Sequence, residues 1–236
     1  MSQPLADEFV LAPPSRARGG ATERVASALR EAIVTLEFPP GAVLDKAVLA
    51  QRFGVSRFPI AEAFNRLKAE GLVDIRPQSG TTVSLLRLRD ARENMFLRRA
   101  LEGEAAALLA TRADSALVAA TEASLHRQKA AVEAGDQPGF HRLDLEFHDI
   151  LTSAVGYPRM RALVEQARLA LDRARRVLIT PRRHQLSMAE HEAIVAAIRE
   201  GEGEAARAAM ARHIDSVMTE LEGFAEANPG AFADQG

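Results

Sequence analysis

Three histidines and one aspartate recur where a helix would turn them inward. Asp144 and His148 lie four residues apart among Phe140, Phe147 and Leu151, so a carboxylate and an imidazole share the stripe that a helix buries. His191 falls into register with Ile194, Val195 and Ile198, and His213 with Met210, Val217 and Leu221. Buried imidazoles and carboxylates are costly unless paired, and a divalent ion would satisfy all four groups together. The chain has no cysteine, so any metal must be held by nitrogen and oxygen donors, and thiolate nucleophiles and disulfides are excluded. The competing reading makes each imidazole a hydrogen-bonded core residue. His126, His141 and His184 fit no apolar stripe as well and are assigned to the surface, with His141 as the substitute ligand seven residues before His148.

Positioning such groups requires helices packed on helices, and the composition supplies them. Of the 236 residues 47% are hydrophobic, yet there is one tyrosine and no tryptophan, so the core is built from small and aliphatic side chains. From residue 90 to about residue 227 the pattern is helical throughout. Breaks fall near residues 111–114, 135–138, 156–158, 180–185 and 201–203, which divides the stretch into about six helices of an antiparallel bundle. Ser187 and Glu190 are spaced as a capping box and mark an expected helix start. Residues 1–20, rich in proline and glycine, read as a flexible tail, and residues 228–236 as a frayed one.

Residues 21–86 follow a different rule. A helix capped at Thr22 runs through Val25, Leu29, Ala32, Ile33 and Leu36 until Pro39, Pro40 and Gly41 stop it. A short helix after Asp45 ends at Gly54, and a third, capped by Ser56, tolerates Pro59 in its first turn and runs to Gly71. Two β-branched segments around Gln78, Ser79 and Gly80 then form a hairpin. Helix, glycine turn, helix and hairpin make a winged helix-turn-helix. Ser56 and Arg57 open the third helix, where free N–H groups attract phosphate and an arginine can reach a guanine edge. Arg66 and Lys68 are candidates for backbone contacts, Gly80 for a tight wing turn, and Thr81 and Thr82 for phosphate donors. Residues 15–86 carry ten basic and seven acidic side chains, a weak bias toward a polyanion.

The string LAQRFGVSRFPIAEAFNRLKAEGLV closely resembles the winged-helix domain of GntR-type regulators. Ala61 stands where that family usually has a second arginine, and Phe58 where it usually has threonine. The runs LDLEFHDIL and EHEAIVAAIREGEGEAARAAMARHI are similar to the FCD domain of the FadR subfamily, across about residues 90–221. That resemblance implies a metal held by Asp144, His148, His191 and His213, with zinc expected first and nickel or manganese as alternatives. It also implies that Arg98, or the adjacent Arg99, meets the carboxylate of a small organic acid. A cytoplasmic homodimer follows, regulating transcription from a near-palindromic double-stranded operator, with repression as the expected sense and no membrane as a partner.

Two readings from other classes remain. A metal-dependent hydrolase would use open positions on the ion to activate water, but Val195 stands where the zinc-protease motif needs its second histidine. A constitutive DNA-binding protein with a purely structural helical domain would show no effector response. No apolar run approaches the roughly 20 residues of a membrane span.

Overall fold

The computed structural model describes residues 20–76, 80–112 and 114–233. The expected tail over residues 1–20, apart from Gly20, and the wing-turn residues Gln78 and Ser79 lie outside the described residues. The chain forms two compact units, one of residues up to Leu88 together with those from Ala225 onward, the other of Arg89–Phe224.

The first unit is a winged helix. Helices α1 (Ala21–Val34), α2 (Lys46–Phe53) and α3 (Arg57–Ala69) enclose Val25, Leu29, Ile33, Leu49, Ile60, Phe64 and Leu67. The start of α1 is capped by the backbone of Gly20 rather than by Thr22. Its end also comes earlier than the apolar stripe suggests. Leu36 enters the left-handed region at φ 63°, and the chain folds back so that Phe38 takes the core position. Asp45 caps α2, its Oδ1 accepting from Ala47 N and Val48 N at 2.7 and 2.9 Å. Gly54, at φ 62°, supplies the left-handed exit that separates α2 from α3. Ser56 occupies the N-cap of α3, but its side chain makes no capping bond.

The wing strands β2 (Val73–Arg76) and β3 (Gly80–Val83) pair antiparallel, Val73 opposite Val83 and Arg76 opposite Gly80. A further strand, β1 (Val43–Leu44), which the sequence did not reveal, adds to the other edge of β3 and gives the order β1-β3-β2. Two residues are too short to display the alternation by which strands are recognised.

The second unit is built on α4 (Leu88–Arg112), α5 (Ser115–Glu133), α6 (Gln137–Ala154), α7 (Pro158–Arg176), α8 (Pro181–Arg199) and α9 (Gly203–Ala227). Helix α5 packs on α6 and α8, and α6 packs on α7. Asp114, Asp136 and Thr180 cap α5, α6 and α8 through side-chain oxygens. Thr180 with Pro181 in the first turn starts α8 six residues before Ser187, so the expected capping box is no helix start. Ser187 instead lies buried within α8.

The C-terminal end also departs from expectation. Pro229–Ala231 forms a 3-10 turn, and Phe232 is 4% exposed. Leu86 donates to Ala231 O at 2.9 Å and accepts from Ala233 N at 2.8 Å, so residues 229–233 are held rather than frayed. A buried phenyl ring and two ladder bonds supply the anchoring that the local sequence does not advertise. Among the described residues, no helix is long and apolar enough to cross a membrane.

Candidate metal centre and nucleic-acid interface

Asp144 and His148 on α6, His191 on α8 and His213 on α9 are all buried, and one ligand atom of each lies within 4.8 Å of the others. The apolar stripes explain the convergence. Phe147, one residue before His148, stacks on the His191 ring with centroids 4.2 Å apart.

Each imidazole is fixed from behind. His148 Nδ1 donates to Glu102 Oε2 at 2.5 Å, His191 Nδ1 to Gln128 Oε1 at 2.7 Å, and His213 Nδ1 to Glu190 Oε2 at 2.8 Å. Placing the proton on Nδ1 leaves a lone pair on Nε2 in all three rings. Those three Nε2 atoms and Asp144 Oδ1 are buried without a hydrogen-bond partner. Asp144 Oδ1 lies 3.6 Å from His191 Nε2 and 4.0 Å from His148 Nε2. Ligands sharing one ion at about 2.0–2.1 Å are themselves about 3–4 Å apart, so these two separations suit a divalent transition metal, and the whole set, within 4.8 Å, needs only a small inward movement to close on one. Carboxylate or amide acceptors behind metal-bound imidazoles are the usual supporting arrangement.

Electrostatics favour the ligating protonation states. Burial opposes ionisation of Asp144, but Arg175, whose Nη2 donates to Asp144 Oδ2 at 2.6 Å, and the imidazoles hold its carboxyl well below the usual range. Burial pushes His148 down to about 4 even though Glu102 pulls the other way. Burial and then His213 push His191 far down as well. Near neutrality these groups therefore present a carboxylate and neutral rings.

Sequence reasoning missed the supporting residues. Gln128 alone carried a signal, because it continues the buried stripe of Leu117, Thr121 and Ser124 on α5, and its amide donates to Ser124 Oγ at 3.2 Å. Glu190 and Ser187, read as a cap, serve a polar network. Arg183 donates from Nε to Ser187 Oγ at 3.0 Å and from Nη2 to Glu190, while Ser216 Oγ donates to Glu190 Oε1 at 2.5 Å.

The two candidate effector residues separate. Arg98 is 0% exposed and donates from Nε to Glu102 Oε1 at 2.6 Å, which ties it to His148 through one carboxylate. Its Nη1 and Nη2 are buried without a partner. Arg99 points outward and pairs with Asp215 on the surface, so it is removed from the site. His141 and His184, assigned to the surface, are both buried. His141 Nε2 meets Asp172 at 2.9 Å, and His184 stacks on Phe140, which supplies the partners their sequence spacing hid. They line a cavity of about 30 Å³ with Asp144, Arg175 and Arg183.

In the winged helix, Ser56, Arg57, Arg66 and Lys68 are all exposed on α3, and Arg66 pairs with Glu23 of α1. Arg57 has no ion pair among the described residues. Gly80 opens β3 at φ 89°, a conformation that suits glycine. Thr81 is 6% exposed and faces the packed side of the hairpin, which takes it out of the set of phosphate donors, while Thr82 is half-buried.

A winged helix joined to a helical domain defines a two-part transcription regulator with its own DNA-binding head. Residues 21–83 match the gntR family of bacterial regulatory proteins and residues 93–216 match the FCD domain. The chain belongs to the GntR family, in its FCD-containing FadR subfamily, a family of transcription regulators and not of enzymes. It is 34% identical over 209 residues to an HTH-type transcriptional regulator in an unstable DNA locus of Streptomyces ambofaciens, covering 87% of this chain and 86% of that relative. Over 210 residues it is 29% identical to the HTH-type transcriptional repressor RspR of Escherichia coli K12, covering 88% and 91%. A putative GntR regulator structure from Rhodococcus sp. RHA1 aligns with a TM-score of 0.62 at 26% identity, covering 86% and 97%. E. coli McbR/YncC shares the fold with a TM-score of 0.64 at 22% identity, covering 87% and 99%.

Proposed function

We propose that this protein is a cytoplasmic, homodimeric repressor that releases or engages a near-palindromic operator in response to a small organic acid. One winged helix spans one half-site, so two copies related by a two-fold axis read a palindrome. Repression accords with the E. coli relative RspR, which is named a transcriptional repressor. In the DNA-binding unit, Ser56 and Arg57 meet phosphate and base edges at the helix start, Arg66, Lys68 and Thr82 contact the backbone, and Gly80 lets the wing approach it.

The observation that carries the sensing half is the convergence of four buried, unpartnered donor atoms from Asp144, His148, His191 and His213. A divalent ion there, zinc first and nickel or manganese next, would supply a Lewis-acidic anchor for carboxylate oxygens. Arg98 serves as the second anchor, since its two unpartnered terminal nitrogens match a carboxylate bidentately. The cavity beside Asp144, about 30 Å³, has room for only about two waters and is not lined by Arg98 or by His148, His191 and His213, so an organic acid reaching both the ion and Arg98 needs a conformational shift to enter. Binding that favours the shifted state is the source of the allosteric response.

The test is the metal content of untagged protein beside a His148→Ala, His213→Ala double variant. About one transition metal per chain, lost in the variant, is the expected result, followed by an organic-acid screen on the loaded protein. Absence of metal after loading with zinc, nickel and manganese would reduce the helical domain to a structural one.

A further inference from the structure

The outer face of α3 holds a side chain that its own fold does not use. Ile60, Ala63, Phe64 and Leu67 point into the core, so residues 58, 62, 65 and 69, spaced by four, three and four, form the stripe farthest from it. On that stripe Phe58 is 72% exposed, in the first turn of the helix and next to Arg57. Glu62 and Asn65 follow it, Asn65 Nδ2 donating to Glu62 at 3.4 Å. Ala61, one turn on and half-buried, is too short to shield the ring.

An aromatic ring left in water invites a cover, and the chemistry of its neighbours says which kind. Arg57, Arg66 and Lys68 are exposed along the same helix, so the surface suits a polyanion rather than an apolar protein groove. In the major groove the edges of the bases are polar with one exception, the 5-methyl group of thymine, which accepts apolar contact. The first residues of a recognition helix are those that reach base edges.

We propose that Phe58 is a specificity-determining residue whose ring packs against a thymine methyl group and fixes thymine at one position of each half-site. Arg57 beside it reads guanine, so a half-site carries a guanine and a thymine within reach of one helical turn. This rests on α3 entering the major groove.

The experiment selects binding sites from a random duplex library with the full-length, metal-loaded protein and with Phe58→Ser, then replaces thymine by deoxyuridine position by position in the selected site. Wild type is expected to enrich a symmetric pair of thymines that Phe58→Ser does not retain. Deoxyuridine at that pair weakens wild type roughly fourfold per half-site, the effect of one buried methyl-sized group. The same replacement changes the variant by less than about twofold. An identical consensus for both proteins, or wild-type affinity unchanged by deoxyuridine at every thymine, overturns the role of Phe58 and leaves the regulator reading intact. Failure of wild type to enrich any sequence overturns both.

Discussion

Arg98 and Glu102 stand one helical turn apart on α4, both sealed from solvent and joined at 2.6 Å, and the second oxygen of Glu102 accepts from His148. The buried cation is thus connected to a candidate metal ligand through a single carboxylate. Removing one partner of such a pair leaves a buried charge without compensation. Arg98→Ala is expected to lower stability by about 3–5 kcal/mol, against less than about 1 kcal/mol for Arg99→Ala, whose pair with Asp215 is exposed. Urea denaturation of the metal-free proteins measures both, and equal losses would contradict the arrangement.

The acceptors behind the imidazoles give a second expectation. Glu190→Gln and Gln128→Ala keep all four donors but disturb the bonds that orient His213 and His191. Metal affinity is expected to fall about 10–100-fold in each. Competition titration with a zinc chelator reads the change, and unaltered affinity in both variants would show that the rings are held by packing alone.

Acid sensitivity follows from the imidazoles with a definite sign. His148 is pushed from 6.5 down to about 4 in the folded chain, so as pH falls below 6.5 the unfolded chain takes up its proton first. The unfolded state then binds more protons, and stability is full above about pH 6.5 and declines as pH falls toward 4. His191 shifts in the same direction and adds to the loss. Asp144, held low by Arg175, extends the decline below its ordinary 3.8. Thermal melts of metal-free protein at pH 7.5 and pH 5 should separate clearly, and coincident melts would count against buried neutral rings.

The C-terminal segment supplies a fourth test. Phe232→Ala empties a buried site beside Leu86 and is expected to cost about 3 kcal/mol, with a comparable loss on truncation after Ala227. Denaturation of the full-length chain is the measure, and a truncation that leaves its stability unchanged would return these residues to a dispensable tail.

The four donors were legible because each sits on an apolar stripe of its own helix, and stripe membership is local information. Their supporting partners, Gln128 excepted, were not, since Glu102 lies 46 residues from His148 and Glu190 23 residues from His213. Pairing across helices leaves no periodic trace in a sequence. Arg173, Arg175 and Arg176 crowd one helix, and their spacing allows either a solvated basic face or one of them lining the site; only packing selects Arg175, which meets Asp144 at 2.6 Å. The winged helix was read almost whole, because its glycines, prolines and caps are consecutive signals. Tertiary contacts override them at Leu36, at β1 and at the inward turn of Thr81, while the side-chain caps expected from Thr22 and Ser56 fail locally.

The donor set is made only of imidazole nitrogen and carboxylate oxygen, in a chain with no cysteine. Thiol-based regulators change their output when peroxide or a shift in the cellular thiol pool oxidises a sulfur ligand. Nothing in this site offers that handle. Any response of this site to peroxide would therefore have to run through something other than a sulfhydryl, and thiol-modifying reagents should leave the four donors untouched.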